Sequence, residues 1–213
     1  MPDQIKIYSP EEERLNIWSH FTGLLLSIAG AVLLIIKGVN TGNAMSVVSY
    51  TIYSAGNIVL YLASTTYHAA TNPVKRKKLK VFDHAAIYFL IAGTYTPFSL
   101  LVLKGAWGWS VFGVVWGIAA AGITLKLFFT GRYNLLSTLS YILMGWVIVV
   151  AIKPLIAGFS MEGLLLILAG GVFFTIGAVL YSIKRIPYNH AIFHFFVLFG
   201  SLSHFLAIYL YTS

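Results

Sequence analysis

The sequence predicts an all-α integral membrane protein with seven transmembrane helices, its N-terminus cytoplasmic and its C-terminus extracytoplasmic. Three observations carry this expectation. Hydrophobic residues make up 59% of the 213 residues and charged residues only 9%, against about 25% charged in soluble domains; mean hydropathy is +0.85. Seven charge-free runs each reach the roughly 20 residues that a helix needs to cross a bilayer. Lys and Arg also divide unequally between alternate loops. Eleven of the fourteen, Lys6 and Arg132 among them, fall on the side of the N-terminus, and three, Lys37, Lys104 and Lys153, on the other. Such a bias marks the cytoplasmic side.

The first span, 15–36, follows the acidic residues Glu11, Glu12 and Glu13. No small-residue cleavage site follows it, so it reads as a retained helix rather than a secretory signal. Residues 38–43 form an entry loop to the second span, 44–71, which Thr71-Asn72-Pro73 stops. The basic run 75–80 is expected to be a cytoplasmic loop anchored on lipid headgroups, and the third span, 81–103, follows it. Inside that span Gly93-Thr94-Tyr95-Thr96-Pro97 promises close packing and a kink. The remaining spans are 106–126, 133–153, 163–183 and 187–211. Trp18, Trp107, Trp109, Tyr209 and Tyr211 fall near helix ends, as interfacial aromatic residues do. Loops are short and no linker divides the chain, so 1–213 reads as one membrane domain.

Composition excludes several functions. Cysteine is absent, which removes disulfides, thiolate catalysis and Cys-based zinc sites together. The net charge of +8 lies in short runs between apolar segments, a pattern that fits anionic lipid rather than nucleic acid. The spans hold a single acidic residue and no ladder of charges, against an ion or proton path. The last span has no lysine for a retinal Schiff base.

The polar residues that remain converge. His190 and His194 are four apart at the start of the seventh span, so both imidazoles lie on one helix face, roughly 6 Å apart along the axis. His68 ends the second span on the same side of the membrane, and Asp83 begins the third there. Asp83 is the only acidic residue between Arg14 and Met161, and a lone carboxylate in an apolar helix needs a partner. Ser64 precedes His68 by one turn and places its hydroxyl on the same face. This set fits zinc held by the three neutral imidazoles of His68, His190 and His194, with water in the fourth position. Asp83 would hold or deprotonate that water, and Ser64 would support the ligands with a hydrogen bond. His84 is an alternative ligand by its position, but it lies about 100° around the helix from Asp83 and reads rather as a hydrogen-bonding neighbour. His20, within one turn of Asn16 as a possible partner, reads as a structural residue or a support behind the ligands, and His204, deeper in the membrane, is expected to hydrogen-bond between helices.

These residues carry a resemblance. Glu13-x-x-Asn16-x-x-x-His20, Ser64-x-x-x-His68 followed by Asp83, and His190-x-x-x-His194 stand in the order and on the helices of the motifs of the progestin and adiponectin receptor family, and the chain resembles its bacterial hemolysin III branch. The resemblance implies seven helices with a cytoplasmic N-terminus and a zinc ion near the cytoplasmic leaflet on His68, His190 and His194. Asp83 would position the zinc-bound water, and Ser64 would stand behind it. It also implies a resident, multi-pass protein of the bacterial inner membrane that contributes to membrane-fluidity homeostasis. Two functional readings stand: a ceramidase-like hydrolase of lipid amides or esters, and a non-enzymatic membrane sensor with structural zinc. A cytolysin or channel is disfavoured. Membrane lipids are the expected substrate or ligand, and the oligomeric state is left open.

Overall fold

The computed structural model describes residues 8–129 and 134–212. Among these the secondary structure is helical, without a strand, and seven segments are long and apolar enough to cross a membrane. Eight α-helices supply them: α1 (Pro10–Asn40), α2 (Ala44–Ala69), α3 (Pro73–Pro97), α4 (Gly105–Phe129), α5 (Asn134–Gly145), α6 (Ile152–Gly158), α7 (Met161–Ser182) and α8 (Asn189–Tyr211). The fifth crossing is a composite of α5, a 3-10 turn (Val147–Ala151) and α6. Lys6, Arg132 and Tyr133, used in counting charges and spans, lie outside the described residues.

Two helices begin well before their apolar runs, because caps rather than hydropathy set a helix start. The Ser9 hydroxyl accepts from the Glu12 amide at 3.1 Å, and Pro10 occupies the first turn, where no N–H is required. Glu11, Glu12 and Glu13 then face the positive end of the helix dipole. As a result Glu13, Asn16 and His20 share one helix at spacings of three and four, on one face. Similarly, the Asn72 side chain accepts from the Val74 and Lys75 amides at 3.0 and 3.1 Å, ahead of Pro73. The basic run 75–80 is therefore the first two turns of α3, not the loop expected from its charge. That extension brings Arg76 alongside the end of α2.

Small residues let these helices approach closely. A Cβ at Gly93 would lie 3.1 Å from the Ile52 carbonyl oxygen, and one at Gly56 would lie 3.2 Å from that of Phe89. The α2 and α3 backbones thus touch, the packing that compensates for the absence of a hydrophobic drive between helices in lipid. Leu60 and Tyr61 of α2, Ala86 and Leu90 of α3 and Val197 of α8 form one buried cluster at this level. Toward the opposite end, Leu34, Tyr50, Tyr53, Phe98, Leu101, Ala207 and Ile208 form another. There Lys37 reaches the carbonyls that end α8, donating to Tyr209 at 2.7 Å, to Ile208 at 3.3 Å and to Thr212. Large apolar side chains such as Leu26, Phe128, Leu143 and Val150 cover the outside, as lipid contact requires.

The expected kink in the third span takes a specific form. At Pro97, α3 passes into a π-helical segment, Phe98–Leu103, because proline supplies no N–H to continue the regular ladder. The break in the fifth span is satisfied from α3: the Tyr95 hydroxyl donates to the Gly145 carbonyl at 2.7 Å and accepts from the Ile148 amide at 2.9 Å. Irregular backbone at this depth is tolerable only when paired in this way. We expect Gly93→Val to cost about 1–3 kcal/mol by forcing α2 and α3 apart, read as a lowered unfolding midpoint in detergent. Gly113→Val, whose Cβ meets no neighbour within 4 Å, should leave that midpoint unchanged.

Candidate metal centre

His68 ends α2, while His190 and His194 occupy the first two turns of α8. The start of α8 is fixed by Asn189, whose amide donates to the Tyr181 and Ile183 carbonyls at 2.8 and 3.3 Å and so holds the last turn of α7. Together these elements bring one nitrogen from each of the three imidazoles within 4.8 Å of the others, all buried. The Nε2 atoms of His68 and His190 are 3.1 Å apart. Two nitrogens at 2.0–2.1 Å from a tetrahedral zinc stand about 3.3 Å apart, so this spacing is close to one edge of such a site.

The outer nitrogens show why the inner ones are available. His68 Nδ1 lies 2.6 Å from the Glu13 carboxylate, which also binds Arg76 and accepts from the Asn16 amide at 3.2 Å. His194 Nδ1 lies 3.2 Å from the Asn16 carbonyl oxygen and 3.2 Å from the Ser19 hydroxyl. A carboxylate and a carbonyl can only accept, so both rings carry their proton on Nδ1 and turn a lone pair inward. His190 Nδ1 meets the Tyr8 hydroxyl at 2.9 Å, a partner able to donate or accept. Burial holds the Tyr8 phenol well above the usual tyrosine range, so it stays protonated at neutral pH. Lone pairs converging in an apolar bundle, with each ring oriented from behind, are what a metal ion requires of histidine. The cluster could hold a metal ion on its donor chemistry alone.

Asp83 and Ser64 reach the same place. Both are buried, and both line a cavity of about 160 Å³ whose wall also includes His20, His190 and His194. The Ser64 hydroxyl stands beside the Asp83 carboxylate but makes no hydrogen bond of normal geometry with it. From this polar end the cavity runs between apolar walls that include Leu90, Ile91, Ile142, Phe174 and Val197 to Trp146 and His204. The arrangement offers a metal position, one carboxylate and an apolar slot in continuous space.

The other histidines divide. His204 makes the expected interhelical bond, Nε2 lying 3.2 Å from the Ile167 carbonyl oxygen. His84 lines the cavity outside the triad, and its backbone carbonyl accepts from the Tyr141 hydroxyl at 3.1 Å. His20 does not pair with Asn16. The Asn16 amide turns to Glu13 instead, and the His20 ring stacks on His194 with centroids 3.5 Å apart and planes 10° apart, neither nitrogen finding a partner. Sequence reasoning missed Tyr8 and Ser19, read Arg76 only as part of a basic loop, Glu13 only as an acidic and motif residue, and Asn16 only as a motif residue and a partner for His20. The spacing of Glu13, Asn16 and His20 held a usable signal, since a polar stripe on an apolar helix faces its partners. Tyr8, ahead of the helix, left no such trace.

Removing the carboxylate behind His68 frees that ring to rotate. We expect Glu13→Ala to weaken metal binding 10–100-fold in competition with a chromophoric chelator. Glu162→Ala, exposed at the start of α7, is the control that should bind as the wild type does. Equal affinity in both variants would separate Glu13 from the metal centre.

Comparison with known proteins gives the family. The model of the family described as "Haemolysin-III related" matches residues 8–205. The chain is 44% identical over 202 residues to Hemolysin-3 of Bacillus cereus, covering 95% of this chain and 92% of that protein. It is likewise 44% identical over 205 residues to the Hemolysin-3 homolog of Bacillus subtilis (strain 168), covering 96% of each. The human Monocyte to macrophage differentiation factor is 27% identical over 215 residues, covering 95% of this chain and 86% of that protein. A multi-pass membrane protein with three buried histidines at one end of its bundle, the chain belongs to the haemolysin-III-related family.

Proposed function

We propose that this protein is a zinc-dependent hydrolase of lipid amides or esters, acting at the cytoplasmic leaflet of the bacterial inner membrane and contributing to lipid and fluidity homeostasis. One observation carries the reading: three buried imidazoles bring a nitrogen each within 4.8 Å of the others, near a buried carboxylate at the polar end of an apolar cavity. His68, His190 and His194 would hold the ion. Bound there, zinc supplies Lewis-acid chemistry, making water more acidic and polarising a carbonyl.

The chain's own residues supply the rest. Asp83 accepts the proton from water as the water oxygen bonds to the carbonyl carbon, then returns it to the departing nitrogen or oxygen as the C–N or C–O bond breaks. The Ser64 hydroxyl, which stands beside the Asp83 carboxylate, would support it with a hydrogen bond after a small shift. The apolar walls take the acyl chain and exclude bulk water. The Lys and Arg bias supports the cytoplasmic leaflet as the side of the histidine cluster.

A specific observation also favours the alternative, a membrane sensor whose metal is structural. The ligands come from α2 and α8 and their outer partners Glu13, Asn16 and Ser19 from α1, so an ion here would staple three helices. The two readings part at Asp83. For the hydrolase, Asp83→Asn should reduce fatty-acid release from a lipid-amide panel, followed by mass spectrometry, by 10²-fold or more, with bound metal unchanged. Turnover in Asp83→Asn equal to the wild type would remove Asp83 from the chemistry. Wild-type protein that holds metal and gains thermal stability from it, yet releases nothing, would favour the sensor.

A further inference from the structure

The far end of the cavity carries a polar group that the hydrolase reading leaves unused. His204 stands ten residues beyond His194 on the same helix, about 15 Å along its axis, and its ring forms part of the cavity wall. The other polar side chains there are satisfied within the protein. Thr94 donates to the Leu90 carbonyl at 2.8 Å, Tyr95 to Gly145 at 2.7 Å, Trp146 to the Thr175 hydroxyl at 3.0 Å, and Thr175 to Gly171 at 2.7 Å. His204 is satisfied on one side only. Its Nε2 meets the Ile167 carbonyl oxygen at 3.2 Å, while its Nδ1 is buried without a partner.

The ring's orientation is fixed. Its Cδ2 and Nε2 atoms lie against Gly170, where an added Cβ would come within 2.3 Å of both. A carbonyl only accepts, so the proton sits on Nε2 and Nδ1 is left as an acceptor on the opposite edge. A buried acceptor with nothing to accept from is costly, and an apolar wall gives it no relief. Among the described residues nothing donates to it, and the ring that carries it lines the cavity.

We propose that His204 recognises a hydroxyl on the chain of a lipid ligand, and that the cavity selects acyl lipids carrying such a group about 15 Å from the carbonyl held at the metal end. The inference rests on the reading of the cavity as a lipid site. It is independent of turnover, because a hydroxyl preference is a property of binding.

The test compares laurate with ω-hydroxylaurate, both saturated acyl chains, the second bearing a terminal hydroxyl. Each is titrated against the full chain in nanodiscs by displacement of a fluorescent fatty acid. ω-Hydroxylaurate should bind the wild type about tenfold more tightly, the worth of one buried hydrogen bond. His204→Phe should lose that preference while still binding laurate, and His204→Gln, which keeps an acceptor, should retain part of it. Equal affinities in the wild type overturn the proposal without recourse to any variant, and are what a water at Nδ1 alone would give. A preference that persists in His204→Phe overturns it as well, and so does failure of both ligands to bind. A hydroxyl preference in protein that hydrolyses no lipid would sink the hydrolase reading and leave this one standing.

Discussion

The Glu13 carboxylate joins three helices at one point, and the geometry of the metal end depends on it. It projects from α1, receives His68 of α2 and Arg76 of α3, and is steadied by Asn16 one turn further along its own helix. In an apolar bundle an unpaired carboxylate and an unpaired guanidinium are each expensive. Here each answers the other, and the histidine between them is oriented as a consequence. Arg76 also donates to the His68 and Ala70 carbonyls and lies over the Tyr67 ring, 4.8 Å from its centroid, closing the end of α2. One acidic residue thus settles the tautomer of a metal-ligand candidate and the entry angle of a helix.

From that point the bundle changes character along its length. The metal end gathers histidines, a lone aspartate and a serine around the mouth of a cavity. The opposite end is closed by ordinary means: aromatic and aliphatic packing, with Lys37 serving the carbonyls that end α8 and the Tyr50 hydroxyl 2.9 Å from that of Thr212. The fifth crossing, broken at Gly145 and held through Tyr95, forms much of one cavity wall. On the proposed reading, a lipid-derived ligand would place its head among the imidazoles and its chain along the apolar wall. The orphaned His204 nitrogen then lies where the chain would end.

Much of this was legible in the sequence, for physical reasons that also mark the limit. Hydropathy finds what lipid can accommodate, so the seven crossings were plain. It does not find where a helix begins: the third apolar run opens at residue 81, whereas the Asn72 cap starts α3 at Pro73. Spacing finds which residues share a face, so His190, His194 and Ser64-x-x-x-His68 could be placed, and the loop charges put them at one end. Contacts between helices depend on rotation about each axis, which no spacing supplies. His20 therefore supports the site by stacking on His194 rather than by a bond to Asn16, and the role of Glu13 depends on the meeting of α1, α2 and α3. Tyr8 lies ahead of any periodic segment, and only the folded chain brings it to His190.

Zinc-edge X-ray absorption on the purified, zinc-loaded protein tests the central claim most directly. The account requires three imidazole nitrogens at about 2.0–2.1 Å from the metal, with an oxygen completing the shell. A metal bound by fewer than three imidazoles, or a protein that takes up no zinc, would contradict it.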